Sequence, residues 1–132
     1  MNFQQIQLVQ TTFTQIEPIA DKAAALFYQR LFELNPALHS LFRGDMQAQG
    51  NKLMTTLALV VKGLDRPESI VPAVQLLGRR HANYGVQPAH YQTVGQALLD
   101  TLAAALGDQF TTPVASAWQA AYTLLANVMQ EA

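Results

Sequence analysis

The chain of 132 residues contains no cysteine. This absence excludes disulfide bonds, zinc sites built from cysteines, thiol nucleophiles and any cofactor attached through thioether bonds. It is compatible with a reducing cytosol. The first ten residues, "MNFQQIQLVQ", lack the basic stretch and the apolar run of a secretory signal. We therefore expect a cytoplasmic protein.

Charged residues are also scarce, at 13% of the chain, and the formal net charge is −1. This balance gives no electrostatic basis for binding a nucleic acid or an anionic membrane, and no apolar run approaches the roughly 20 residues that cross a bilayer. Half of the residues are apolar. A core that encloses a large group, or an apolar interface in a homo-oligomer, would each explain this surplus. We expect a monomer or homodimer without nucleic-acid or membrane partners.

The sequence motifs of most enzyme classes are missing. There is no G-x-S-x-G nucleophile elbow, no phosphate-binding P-loop, no G-x-G-x-x-G and no H-E-x-x-H. The nine acidic residues are scattered without an obvious catalytic pair. The sequence therefore assigns no catalytic residue.

Apolar residues recur three or four positions apart along the whole chain, which predicts amphipathic helices. Examples are the stripes within residues 3–16 and 114–128. The pairs Asn35-Pro36 and Thr112-Pro113 are typical helix starts, and Gly85 is placed to end a helix with positive φ. No β-alternation of useful length occurs. The pattern predicts an all-α protein of six or seven helices.

One histidine lies on the apolar side of a predicted helix. His81 follows Leu77 and Val74 by four and seven positions, so the three share a face and the histidine should point inward. A core or surface histidine with satisfied hydrogen bonds explains this placement as well as a metal ligand does. A lone histidine cannot hold bare zinc, which takes three or four protein donors, but it can hold iron carried by a porphyrin.

An ordered set of motifs resembles the bacterial single-domain globins and the haemoglobin domain of flavohaemoglobins. The motifs are "LFYQRLF" (26–32), "NPALHSLF" (35–42), "GRRHANYGV" (78–86), "HYQTVGQALL" (90–99) and "AWQAAY" (117–122). They follow the family's order at nearly its spacing. The resemblance implies a globin fold of six to seven helices around a haem pocket, a single globin domain over residues 1–132, and non-covalently bound haem b.

The resemblance also implies roles for individual residues. His81 is the implied proximal iron ligand. Tyr28 and Gln49 are the implied hydrogen-bond donors to a gas on the other face of the haem, and Phe42 and Leu53 are the implied apolar contacts. For Tyr28, Phe42 and Leu53, packing in the core remains the alternative.

Three further residues complete the expected cofactor site. Lys52 and Arg80 are candidates for pairing with the haem propionates, and solvated surface charges are an equally good explanation of both. Tyr91 matches the tyrosine that braces the proximal histidine in flavohaemoglobins. The position of the family's bracing glutamate falls beyond Ala132, and the nearest acid is Glu131.

The function implied by the resemblance is reversible binding of dioxygen, and of NO and CO, for oxygen binding, transport or storage. A neutral histidine on one face leaves ferrous iron open on the other. Donors at Tyr28 and Gln49 would each stabilise the bound gas by about 0.5–1.5 kcal/mol. The alternative is a nitric oxide dioxygenase that depends on a separate reductase. A globin-fold sensor or a haemless interaction module is the third possibility.

Overall fold

The computed structural model describes all residues from Met1 to Ala132, and it contains helices and no strand. The six α-helices are α1 (Phe3–Ile16), α2 (Ala20–Leu34), α3 (Met46–Lys62), α4 (Pro67–Asn83), α5 (Pro88–Leu106) and α6 (Thr112–Gln130). Three short 3-10 helices cover Glu17–Ile19, Pro36–Leu41 and Gly107–Gln109. The predicted all-α class is confirmed. None of the helices combines the length and hydropathy needed to span a bilayer.

Polar capping residues fix several helix boundaries. The Asn35 side chain accepts a hydrogen bond from the backbone N–H of Ala37 at 3.2 Å, which starts the 3-10 helix as predicted. Gly85 follows α4 with φ of 92°, also as predicted. The cap of α6 is Thr111, whose hydroxyl accepts from the Val114 N–H at 3.4 Å. It lies one residue before the predicted cap, because two threonines precede the proline.

The core contains buried residues of all six α-helices, and its most extensive packing joins α2 to α5 and α1 to α6. The Trp118 indole N–H of α6 donates to the Thr12 hydroxyl of α1 at 2.9 Å, so both buried polar groups are satisfied. Phe3, expected to begin the apolar stripe of α1, is 73% exposed. The stripe is buried only from Val9 onward, in the later turns of α1.

Helices α3 and α4 follow each other in the chain, but neither has the other as a main packing partner. Instead, α3 packs on α2 and α1, whereas α4 packs on α6. Apolar residues of both helices remain half-buried, among them Leu53 and Leu57 of α3 and Leu77 of α4. Apolar side chains that the rest of the chain covers only in part are available to contact a further apolar group.

Gly78 lets α4 cross the backbone of α6 at close range. A Cβ atom added at Gly78 would lie 2.2 Å from the carbonyl oxygen of Met129 and 2.6 Å from its Cα. A backbone cannot rotate out of the way as a flexible side chain can. Any side chain at this position would therefore force the two helices apart.

Replacing Gly78 with alanine should lower the free energy of unfolding by about 2 to 3 kcal/mol, because overpacking a rigid contact outweighs the ~1 kcal/mol that alanine gains over glycine in a helix. Urea denaturation followed by circular dichroism measures the change. The exposed neighbour Arg79 provides the control, and its replacement with alanine should change stability by less than about 0.5 kcal/mol. Equal stability of the two variants would contradict the close crossing.

Candidate functional site

The side chain of His81 lies near the end of α4 with one ring nitrogen engaged. Its Nδ1 is 2.9 Å from the carbonyl oxygen of Leu77. Because a carbonyl oxygen only accepts, Nδ1 carries the proton and donates it, which leaves the lone pair of Nε2 free. Burial lowers the pKa of His81, and the bond to Leu77 opposes that shift only in part. The ring is therefore neutral at pH 7 with one nitrogen available, the form that ligates a metal.

Because of this lowered pKa, we expect the unfolding free energy of the cofactor-free chain to decrease below about pH 6.5. The unfolded chain binds the proton more readily than the folded chain does. The stability that the neutral ring contributes is therefore fully present above about pH 6.5. It is lost as the pH falls from there to the lower pKa of the folded chain. Urea titrations at a series of pH values measure this dependence of the unfolding free energy on pH. The variant His81→Gln cannot titrate and should lose this part of the dependence; an unchanged profile would contradict the assignment.

Tyr28 and Gln49 come together because α2 and α3 cross closely next to them. A Cβ atom added at Gly50 of α3 would lie 3.0 Å from the Cβ of Ala24 in α2. Tyr28 follows Ala24 by one helical turn on the same face, and Gln49 precedes Gly50. Burial raises the pKa of Tyr28, and the nearby Gln49 side chain partly offsets that rise. The phenol therefore keeps its proton at neutral pH and can donate it.

An aromatic cluster fixes the ring of Tyr28. The rings of Phe27 and Phe42 meet it edge-on, with centroids 5.0 and 5.3 Å away. Phe32, four residues further along α2, stacks on it at 6.1 Å and meets Phe42 at 5.4 Å. The exposed His39 stacks on Phe32 at 3.7 Å. Neither Phe32 nor His39 is among the predicted site residues, although the spacing of four residues between Tyr28 and Phe32 places these two on one helix face.

The other residues predicted on α3 and α4 differ in exposure. Leu53, one turn after Gln49, is half-buried and packs against the core. Lys52 and Arg80 are exposed, and neither forms an ion pair within the chain. Their charged groups are thus free to meet an anionic partner at the surface. The predicted pairing with propionates stays a prediction.

Tyr91, near the start of α5, is half-buried, and burial raises its pKa. Its backbone carbonyl accepts a hydrogen bond from the Tyr122 hydroxyl at 2.6 Å. The Tyr122 ring lies so close to Gly95 that an added Cβ would be 2.7 Å from it. Glu131 is exposed, and its carboxylate makes no hydrogen bond or ion pair. The structure thus connects Tyr91 with Tyr122, a residue without a predicted role.

These residues fit a flat, mainly apolar cofactor that brings its own metal. No group of three or more His, Cys, Asp or Glu side chains could hold an ion by itself. His81 offers one free nitrogen, and α3 and α4 each carry half-buried apolar side chains. Iron whose other nitrogen ligands come from a porphyrin needs only such a single axial nitrogen.

Known sequences support this interpretation. A family model described as Globin matches residues 25–129. A flavohemoprotein of Vibrio cholerae is 36% identical over 126 residues, which are 93% of this chain and 32% of that protein. A flavohemoprotein of Bacillus subtilis is 28% identical over 125 residues, or 92% of this chain and 31% of the relative. The chain thus spans about a third of the length of these relatives.

A solved structure is similar over nearly the whole chain. It is an engineered carbene transferase described as a putative nitric oxide dioxygenase from Rhodothermus marinus. The two chains are 29% identical and superpose with a TM-score of 0.90, covering 99% of this chain and 92% of the other. The arrangement of helices that the ordered motifs predict is confirmed.

Proposed function

Because the chain belongs to the globin family, we propose that it is a single globin domain that binds haem b non-covalently and reversibly binds dioxygen, NO and CO. The observation that carries the proposal is the free Nε2 of His81. Its ring is neutral, its Nδ1 is held by Leu77, and the main packing partner of its helix is α6 rather than the helix that bears Gln49. The flavohemoprotein relatives support the same assignment.

Haem, when bound, supplies a ferrous iron with one open position for a diatomic gas. His81 would hold the iron through Nε2. The carbonyl of Leu77 fixes the tautomer and the orientation of the ring, which keeps that lone pair pointing in one direction. Tyr91, braced by Tyr122, would limit the movement of α5 beside this ligand.

On the opposite side, Tyr28 and Gln49 would stabilise the gas by hydrogen bonding. The phenol keeps its proton because burial raises its pKa, and the amide of Gln49 offers a second donor. A bond to a neutral gas contributes about 0.5–1.5 kcal/mol, and a bond to oxygen with partial negative charge contributes about 1.5–3 kcal/mol. Leu53 and Phe42 would exclude bulk water from these polar groups. Together these contributions predict slow oxygen release.

At the surface, Lys52 and Arg80 would pair with the two propionates of the haem. Both side chains are exposed and lack partners within the chain. Ion pairs of this kind are screened by solvent and contribute little to affinity. Their main effect would be to set the orientation in which the haem enters.

The second candidate function is nitric oxide dioxygenation with electrons from a separate reductase. The similarity to the structure described as a putative nitric oxide dioxygenase favours it, as does the resemblance to flavohemoproteins. The 132 residues hold no flavin- or nicotinamide-binding motif. Repeated turnover would therefore need reducing equivalents from another protein or domain.

The optical spectrum of the reduced protein, with and without CO, tests the leading proposal. We expect an intense haem band that shifts on addition of CO. A protein that stays colourless after expression in haem-replete cells and after addition of haem would contradict the proposal.

Stopped-flow mixing of the oxygenated protein with NO then separates the two functions. A single turnover that a reductase cannot repeat indicates a gas carrier, and sustained turnover indicates a dioxygenase.

A further inference from the structure

The exposed His39 closes the solvent side of the aromatic cluster that surrounds Tyr28. It lies in the 3-10 helix Pro36–Leu41, which packs on α2. Its imidazole is stacked on the ring of Phe32, with centroids 3.7 Å apart and an angle of 21° between the planes. Phe32 is half-buried, so the imidazole shields part of a ring that lies at the surface. Covering apolar surface in this way stabilises one position of both rings.

His39 also holds a second ring of the cluster through its backbone. Its carbonyl oxygen accepts a hydrogen bond from the N–H of Phe42 at 3.1 Å. This bond ends the 3-10 helix and fixes the point from which the Phe42 side chain extends. The rings of Phe32 and Phe42 in turn meet with centroids 5.4 Å apart. One residue thus contacts Phe32 with its side chain and Phe42 with its backbone.

These two rings are the half-buried neighbours of Tyr28. Phe32 stacks on the Tyr28 ring at 6.1 Å, and Phe42 meets it edge-on at 5.3 Å. The third neighbour, Phe27, is buried in α2 itself and has no contact with the 3-10 helix through its ring. The side of Tyr28 that the core covers least is therefore the side on which His39 makes both of its contacts.

We propose that His39 is a positioning residue for the gas-binding hydroxyl of Tyr28 and that it acts through the ring of Phe32. This inference rests on the proposed function, in which Tyr28 donates a hydrogen bond to bound oxygen. Such a bond weakens steeply when its length or angle departs from the optimum. A tyrosine ring held in one orientation keeps the bond, whereas a ring that moves between two orientations offers it only part of the time. His39 thus slows oxygen release without contacting the gas.

The chemistry of the stack determines which substitutions preserve it. The contact uses the face of a flat ring, so His39→Phe retains a stacking surface and His39→Ala removes it. The hydrogen bond from the Phe42 N–H remains in both variants, because any residue at position 39 supplies a backbone carbonyl. The pair of variants therefore tests the side-chain stack alone.

Oxygen dissociation from His39→Ala, measured by stopped-flow displacement with CO, tests the proposal. We expect the rate to rise roughly two- to tenfold, which is the change in rate that the loss of one aromatic pair corresponds to. His39→Phe should restore the rate of the unmodified protein. If His39→Ala does not fold, His39→Ser removes the ring in the same way.

Ser40→Ala is the matched control. Ser40 is exposed and follows His39 in the same 3-10 helix, and its hydroxyl donates to the carbonyl of Ala37 at 3.0 Å. Its replacement loosens this helix but leaves the ring stacked on Phe32. Oxygen release should therefore stay at the rate of the unmodified protein.

The infrared C–O stretching band of the ferrous CO complex gives a readout other than gas kinetics. Its frequency depends on the hydrogen-bond donors beside the bound CO, so a single orientation of Tyr28 gives a single narrow band. We expect His39→Ala to add a second band at the frequency that Tyr28→Phe shows. His39→Phe and Ser40→Ala should keep the single band.

A double-mutant cycle separates an action through Tyr28 from a general effect on the pocket. Tyr28→Phe lacks the hydroxyl, so the addition of His39→Ala should not accelerate oxygen release any further. Additive acceleration would overturn the proposal. Unchanged oxygen release and an unchanged CO band in His39→Ala would do the same, as would a His39→Phe variant that behaves like His39→Ala.

The outcomes also distinguish this inference from the proposed function. A haem-loaded protein whose oxygen release and CO band do not respond to His39→Ala would leave the proposed function intact and remove only the role of His39. A chain that binds no haem would show no CO band in any variant. That result would remove the proposed function and the role of His39 together.

Discussion

Replacing His81 with glycine should remove about nine-tenths or more of the haem absorbance of the purified protein, because the iron loses its one protein ligand. The cavity left by the side chain should accept free imidazole, which supplies the same nitrogen. Millimolar imidazole should therefore restore most of the haem band. Haem absorbance per chain, measured after gel filtration with and without imidazole, gives both the loss of the haem band and its recovery.

The matched control is His39→Gly. His39 is exposed and stacks on Phe32, so its loss removes an aromatic contact but no free nitrogen near α4. This variant should keep its haem absorbance, and imidazole should not change it. A folded His81→Gly variant that retains the haem band without imidazole would refute the axial role. Loss of the band that imidazole does not reverse would also count against it.

The sequence alone predicts the helices and the helix face of His81 because these follow from local rules. Apolar periodicity is a property of neighbouring turns. Caps such as Asn35 and Gly85 act within a few residues, so their positions can be inferred from the residue types. The one-residue error at Thr111 shows the limit of such reasoning, since either of two adjacent threonines could cap α6.

Features that depend on helix crossings could not be predicted in this way. Tyr28 and Gln49 are far apart in the sequence, and they meet only because Gly50 packs on Ala24. The pairing of Trp118 with Thr12 joins residues 106 positions apart. The tautomer of His81 is likewise invisible in the sequence, because it follows from the distance between Nδ1 and the Leu77 carbonyl.

The predicted brace behind the histidine involves different residues from those that the resemblance implies. Family matching directs attention to an acid near Glu131, but that carboxylate is exposed without a partner. The contact that exists is between the Tyr122 hydroxyl and the Tyr91 carbonyl, and it requires the missing side chain of Gly95. A glycine whose role is to admit a ring from another helix gives no signal in a single sequence.

Replacing Tyr28 with phenylalanine should raise the rate of oxygen dissociation by roughly 10- to 100-fold. The bound oxygen carries partial negative charge, and hydrogen bonds to charged groups contribute about 1.5–3 kcal/mol, where 1.4 kcal/mol corresponds to a factor of ten. The phenol is well placed to make such a bond because burial keeps it protonated and the rings of Phe27, Phe32 and Phe42 hold it in one orientation. Stopped-flow displacement of oxygen by CO measures the rate.

Two comparisons separate hydrogen bonding from a change in shape. Bound CO carries little negative charge, so its dissociation rate should change less than about threefold in Tyr28→Phe. Gln49→Leu should raise oxygen dissociation by a smaller factor, and the double variant measures how far the two donors act together. Because the Gln49 side chain lies close enough to Tyr28 to influence its pKa, we expect the two effects to be non-additive. Equal acceleration of oxygen and CO release in Tyr28→Phe would indicate lost packing rather than a lost hydrogen bond.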